Sequence, residues 1–232
     1  MSDVLRILEN EVQLAALAFM AVVYTARLAW IFRFGVRRDR TLAAGRSSAG
    51  AGYSLMNVVM PWAMESTRKR PGFYAQFAVF HLGVAAAIAG TFIIPYAPAL
   101  LERRAAVALL QAVIGAAFLV GLFRLARRLS NPVLRSVSSP DDHFSLVLLI
   151  LWFGAAVLAV PNRPERSEWP LILYFGLTAF FLVYVPFSKI CHYLYYPFTR
   201  FYLGRSLGHR GAFPPGKAER PGPSGPAGRA RA

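Results

Sequence analysis

Residues Phe73 to Tyr96, FYAQFAVFHLGVAAAIAGTFIIPY, run for 24 positions without a lysine, arginine, aspartate or glutamate. At 1.5 Å rise per residue a helix of that length covers about 36 Å, enough to cross the roughly 30 Å hydrocarbon layer of a bilayer. Four further stretches read as spans: Val12 to Phe32, Ala105 to Phe123, Phe144 to Val160 and Trp169 to Cys191. The chain is 56% hydrophobic and 16% charged, whereas a soluble domain is about a quarter charged. The expected fold is therefore all-α, an integral membrane bundle of five transmembrane helices occupying residues 1–205. A basic tail rich in glycine and proline follows at 206–232, and Gly211 to Ala232 is too poor in apolar periodicity to pack.

The net charge of +15 raises nucleic acid as a partner, but the basic residues follow the connections between spans. Arg33, Arg37, Arg38, Arg40, Arg46, Arg68, Lys69 and Arg70 lie between the first and second spans. Arg124, Arg127, Arg128 and Arg135 lie between the third and fourth. The other side holds Arg6, Arg103, Arg104, Arg163 and Arg166. This asymmetry predicts an N-terminus outside, a C-terminus in the cytoplasm, contact with membrane lipid, and no nucleic acid. The acidic start, Asp3, Glu9 and Glu11, is unlike a cleaved signal, so the first span is expected to stay in the protein. A single cysteine, Cys191, leaves no internal disulfide and no thiolate-held cluster. Met56 to Met64, in the longest connection, reads as an interfacial helix or a docking surface. Asn131-Pro132 and Ser139-Pro140 break the chain before Asp141 and Asp142, which read as a cap on the fourth span. The spans do not form two matching halves, and none carries an acidic residue at its centre, which argues against a transporter.

Polar side chains at membrane depth are costly and mark function, which directs attention to the four histidines. His81 lies about nine residues, or some 13 Å, into the second span, and His192 closes the fifth. On antiparallel helices both approach the same leaflet, the arrangement by which two imidazoles hold a haem iron. Gly83 and Gly90, on nearly one face of the second span, would leave room for a flat macrocycle; close helix packing is the alternative. His143 is either a substitute ligand or an interfacial residue beside the two aspartates, and His209 reads as solvated. The plain alternative for the pair is two structural histidines.

Three segments also resemble a known family: Phe80-His81-Leu82-Gly83, the stretch from Asn131-Pro132-Val133-Leu134-Arg135 to Asp142, and Pro186-Phe187-Ser188-Lys189-Ile190-Cys191-His192. Their order and spacing, over roughly Val12 to Arg205, are similar to those of the gamma (cytochrome b) subunit of respiratory nitrate reductase and its relatives in sulfite- and heterodisulfide-reductase-like complexes. The resemblance implies two stacked b-type haems, each held by one histidine of the second span and one of the fifth, and matches His81 and His192 to the pair nearer the cytoplasm. The other pair is replaced by Thr91 and Tyr174, which implies one haem b. It further implies electron transport with a quinone or quinol in a bacterial or archaeal inner membrane, in an oxidoreductase complex with a cytoplasmic-side iron-sulfur or molybdenum-type subunit. Arg68, Lys69, Arg70, Lys189 and Arg200 are candidate partners of the haem propionates. The alternative is a haem-free membrane anchor for such a complex.

Overall fold

The computed structural model describes residues 2–34 and 39–215, and these are helical, with no strand among them. In chain order the helices are α1 (Asp3–Arg33), α2 (Ser47–Met56), α3 (Glu65–Lys69), α4 (Pro71–Tyr96), α5 (Arg104–Ser130), α6 (Pro132–Val137), α7 (Pro140–Ala159), α8 (Trp169–Tyr184) and α9 (His192–His209). Five helices among the described residues are long and apolar enough to cross a membrane: α1, α4, α5, α7 and α8, the last continuing to Phe187. The expected boundaries hold to about a turn except in the first, third and fifth spans; the third runs on from Phe123 to Ser130. The first span begins at Asp3, and the fifth gives way after Phe187 to a separate 3-10 turn, Lys189–Cys191.

The chain divides into two compact units, where the sequence suggested one body over residues 1–205. The first comprises Met1–Arg33 and Lys69–His192, and carries all five spans. Within it α4 packs on α5, α5 on α7, α7 on α8 and α8 on α1. Helix α7 is central: half of its most apolar window is buried, against 6% for α1. Phe80, Ile114, Phe153, Ala156, Tyr174 and Phe175 form the heart of the core. In hydrocarbon the drive to separate apolar surface from water is missing, so close approach between helices supplies the stabilisation. Gly83 serves this purpose, since a Cβ there would stand 2.1 Å from the Cβ of Ala117. Leu14, Val22, Leu109, Leu119 and Leu151 point outward, as lipid-facing positions require. Gln13 of α1 donates to the Phe175 carbonyl at 2.7 Å and satisfies its buried amide. Hydrogen bonds from Ser2, chiefly its hydroxyl, hold the Glu168 carboxyl below its ordinary range, and the Ser2 amide donates to it at 2.7 Å.

The second unit comprises Phe34–Arg68 and Tyr193–Ala232. The connection read as a long loop contributes α2, and Gly50 of α2 meets Gly204 and Gly208 of α9 backbone to backbone. A Cβ on Gly50 would lie 2.3 Å from the Gly204 carbonyl oxygen. Arg200 donates through Nε to the Ser54 carbonyl at 3.1 Å, and Arg210 pairs with Asp39 at 2.9 Å. His209, expected in solvent, ends α9 with its Nε2 2.8 Å from the Thr41 carbonyl, while its own carbonyl accepts from the amides of Ala44 and Gly45. Helix α9 therefore carries structure beyond residue 205, into the segment expected as tail. The rest of that expectation, residues 216–232, lies outside the described residues.

Candidate functional site

His81 and His192 meet in the first unit. Their ring centroids are 6.3 Å apart and their planes cross at 86°. Neither imidazole is buried in the bundle; both are exposed at its face. His81 is an α4 side chain whose Nδ1 lies 2.8 Å from the carbonyl of Phe77, one turn earlier. His192 opens α9, and its Nδ1 lies 3.1 Å from the carbonyl of Lys189. A carbonyl only accepts, so each Nδ1 carries the proton it donates there, and in a neutral imidazole so held Nε2 is the acceptor. That is the tautomer of a metal-binding imidazole, with its second nitrogen fixed by an outer hydrogen bond.

The distance fits a shared metal. With metal–nitrogen bonds of about 2.0 Å on opposite faces, and ring centroids a further ~1.1 Å away, two imidazoles come to about 6.2–6.3 Å between centroids. No group of three or more His, Cys, Asp or Glu able to hold a metal ion is found among the described residues. A bare ion between these rings would have two protein ligands, whereas a haem brings four equatorial nitrogens of its own. The donor set therefore suits a haem better than a simple ion. Phe77 packs on the His81 ring with centroids 4.2 Å apart, and Phe80 meets its edge at 6.2 Å, so apolar faces restrict how the imidazole turns.

His192 is positioned by residues that the sequence marked for other reasons. Asp142 accepts from the amide of Ser139 at 2.8 Å and from its hydroxyl at 2.7 Å, a capping arrangement at the start of α7. The same carboxylate accepts from Lys189 Nζ at 2.8 Å. Asp141 accepts from the Lys189 amide at 3.4 Å and from the Tyr184 hydroxyl at 2.5 Å. The two aspartates thus fasten the 3-10 turn Lys189–Cys191, whose first carbonyl holds the His192 ring. An aspartate pair ahead of an apolar run signals a helix cap; nothing in the linear pattern says that it also grips a turn 47 residues later. Buried Cys191 plugs that turn into the bundle.

The opposite half of the bundle is closed. Tyr174, at 0% exposure, donates its hydroxyl to the Ala87 carbonyl. Trp152 lies nearly parallel to its ring at 6.2 Å and donates to Thr178 Oγ1 at 2.8 Å, which in turn donates to the Tyr174 carbonyl at 2.7 Å. Gly90 exists for this tyrosine, because a Cβ there would stand 2.9 Å from the Tyr174 hydroxyl. Thr91 turns its hydroxyl back to the Ile88 carbonyl at 2.7 Å. Neither glycine lines an open slot beside the histidines. Gly83, expected among the cofactor-binding residues, is filled against by α5, and Gly90 by α8. They follow the alternative of helix packing.

The remaining candidates are dispersed. His143 is half-buried at the start of α7, and no ring contact joins it to either imidazole among the described residues. Lys189 is committed to Asp142. Arg200 belongs to the second unit, with Ser54. Arg70 stacks on Phe73 with its Cζ 6.0 Å from the ring centroid. Arg27, inside α1, lies 5.7 Å from the ring of Phe187.

No family model matches this chain, and no solved structure does. A protein of Nitratidesulfovibrio vulgaris (strain Hildenborough) is 28% identical over 192 residues, which cover 77% of this chain and 82% of that protein.

Proposed function

We propose that this chain is a multi-pass membrane cytochrome b subunit that carries electrons through one haem b held between His81 and His192. The observation behind the reading is the imidazole pair itself: two rings, each held through Nδ1 by a backbone carbonyl, with their centroids 6.3 Å apart. Bound there, haem would supply one-electron redox chemistry. The chain supplies fixed ligands and an apolar setting, which tune the potential. Held by both His81 and His192, a haem would keep no open position on its iron, and the chemistry it would supply is electron transfer and not oxygen activation.

The wider reading is that of the nitrate reductase gamma-like subunits. The N-terminus lies outside and the C-terminus in the cytoplasm of a bacterial or archaeal inner membrane. The haem exchanges electrons with a quinone or quinol and with an iron-sulfur or molybdenum-type reductase subunit on the cytoplasmic side. The arginine asymmetry supports the orientation, and the closed packing around Tyr174 supports one haem instead of two.

The test is a reduced-minus-oxidised spectrum of the purified full chain. The reading expects a b-type α band that disappears in His81→Ala and persists in His209→Ala. A chain that assembles with its partners, stays helical and shows no band is instead the haem-free anchor.

A further inference from the structure

At the end of the first unit formed by the start of α4 and the close of α5 lies a cleft of about 370 Å³, within the roughly 300–1,000 Å³ of small-molecule sites. Three guanidinium groups line it, those of Arg124, Arg127 and Arg128, on one face of α5. All three are half-buried. Arg124 lies with its Cζ 5.3 Å from the ring centroid of Phe80, and Arg127 with its Cζ 4.5 Å from that of Phe73. Stacking on an aromatic face occupies the plane of a guanidinium and leaves its N–H edge for a hydrogen-bonding anion.

The charge in this cleft is not balanced from within. Asp142 is the one carboxylate among the described residues lining it, and its Oδ2 already accepts from Lys189 and Ser139. Its Oδ1 reaches Arg128 at 4.0 Å, too long for a hydrogen bond. Arginines at the C-terminal turn of a helix are favoured by its dipole, but the dipole does not require them to fold inward and line a cavity. The fork geometry of guanidinium matches the oxygens of a phosphate group.

We propose that this cleft binds a phosphate-bearing anion, with Arg124 and Arg127 as the principal donors and Arg128 as the third. Phospholipid headgroups and free phosphate share this chemistry. The apolar rim contributed by Leu134, Val137 and Leu146 favours the lipid. The cleft meets the support of the histidine pair at Asp142, which also holds Lys189, but neither imidazole lines it, so the lipid titration and the haem spectrum read the two proposals separately.

The experiment measures thermal unfolding of the purified full chain in a neutral detergent, titrated with phosphatidylglycerol, phosphatidylcholine or inorganic phosphate. The expected result is a saturable rise in melting temperature with phosphatidylglycerol and none with phosphatidylcholine. Arg124→Gln and Arg127→Gln should each weaken the apparent affinity about ten-fold, the loss of one charge-assisted pair. Arg135→Gln, on the exposed face of α6, should match the unaltered chain. A rise of equal size with inorganic phosphate supports the site and identifies free phosphate as the occupant. Should neither phosphate source raise the melting temperature, or should Arg124→Gln and Arg127→Gln bind as tightly as Arg135→Gln with unchanged helicity, the proposal is wrong.

Discussion

The two halves of the spanning bundle spend the same pair of helices differently. Where α4 carries His81 and α8 runs out toward His192, the facing side chains are polar, exposed and oriented by backbone carbonyls. Where α4 carries Gly90 and Thr91 and α8 carries Tyr174, the space is filled by tyrosine and tryptophan and every polar atom of the cluster is spent inside it. A cofactor needs ligating rings held in a fixed orientation; a core needs volume and satisfied hydrogen bonds. Helices α4 and α8 present one arrangement at each end, which makes the first end the place to look for chemistry.

The comparison breaks most sharply at the histidines. His81→Ala or His192→Ala should abolish haem incorporation while leaving the helical signal of the detergent-purified chain intact, as read by circular dichroism beside the haem spectrum. At the closed end the order reverses. Tyr174→Ala removes a fully buried ring and should cost about 3–5 kcal/mol, the range for deleting a large core side chain. The measure is equilibrium unfolding in mixed micelles, and haem should persist in the molecules that fold. Tyr174→Phe, which removes the hydroxyl's bond to the Ala87 carbonyl but keeps the ring, should cost about 0.5–1.5 kcal/mol. A Tyr174→Ala variant that folds at full stability but has lost its haem would reverse the roles of the two ends.

Smaller effects sharpen the picture. Lys189→Met cuts the tie between Asp142 and the turn that presents His192. It should weaken haem binding by about ten-fold, the low end for a partner one bond removed from a ligand, measured by haem titration of the apoprotein. In the second unit, Gly204→Ala forces a Cβ to within 2.5 Å of the Gly50 carbonyl oxygen. It should destabilise that unit by about 1–3 kcal/mol and leave the haem spectrum unchanged. Smallest of all is Asp39. Hydrogen bonds from the Thr41 amide and hydroxyl, then from Arg210, hold its carboxyl far below the ordinary range. A carboxyl lowered by folding stabilises fully above its unfolded pKa of about 3.9 and loses that contribution as pH falls toward the folded value. The melting temperatures of Asp39→Asn and the unaltered chain should therefore begin to converge as pH falls below about 4, and go on converging toward the folded value.

The spans were legible because hydrocarbon imposes a length and a composition that composition alone reveals. Phe73 to Tyr96 and Ala105 to Phe123 fall inside α4 and α5. The approach of His81 to His192 was also legible, since antiparallel spans bring the start of one to the end of the other. The roles of Gly83 and Gly90 were not. A glycine clears space for a macrocycle or for a neighbouring helix equally well, and the choice between them is made by Ala117 and Tyr174 on other helices. The grip of Asp141 and Asp142 on Lys189 depends on where the chain turns after α8, which no local pattern encodes. The pairing of α2 with α9 was hidden for a related reason: α2 is rich in small residues and meets α9 at Gly204 and Gly208, a matter of backbone contact instead of apolar periodicity.

The claim beneath all of this is one haem per chain, clasped by His81 and His192. Its most direct measurement is the haem-to-protein ratio of the purified full chain by pyridine haemochrome assay, taken with and without His192→Ala. The account predicts a ratio near one that falls to zero in the variant. A ratio near two, or a ratio unchanged by the loss of His192, would contradict it.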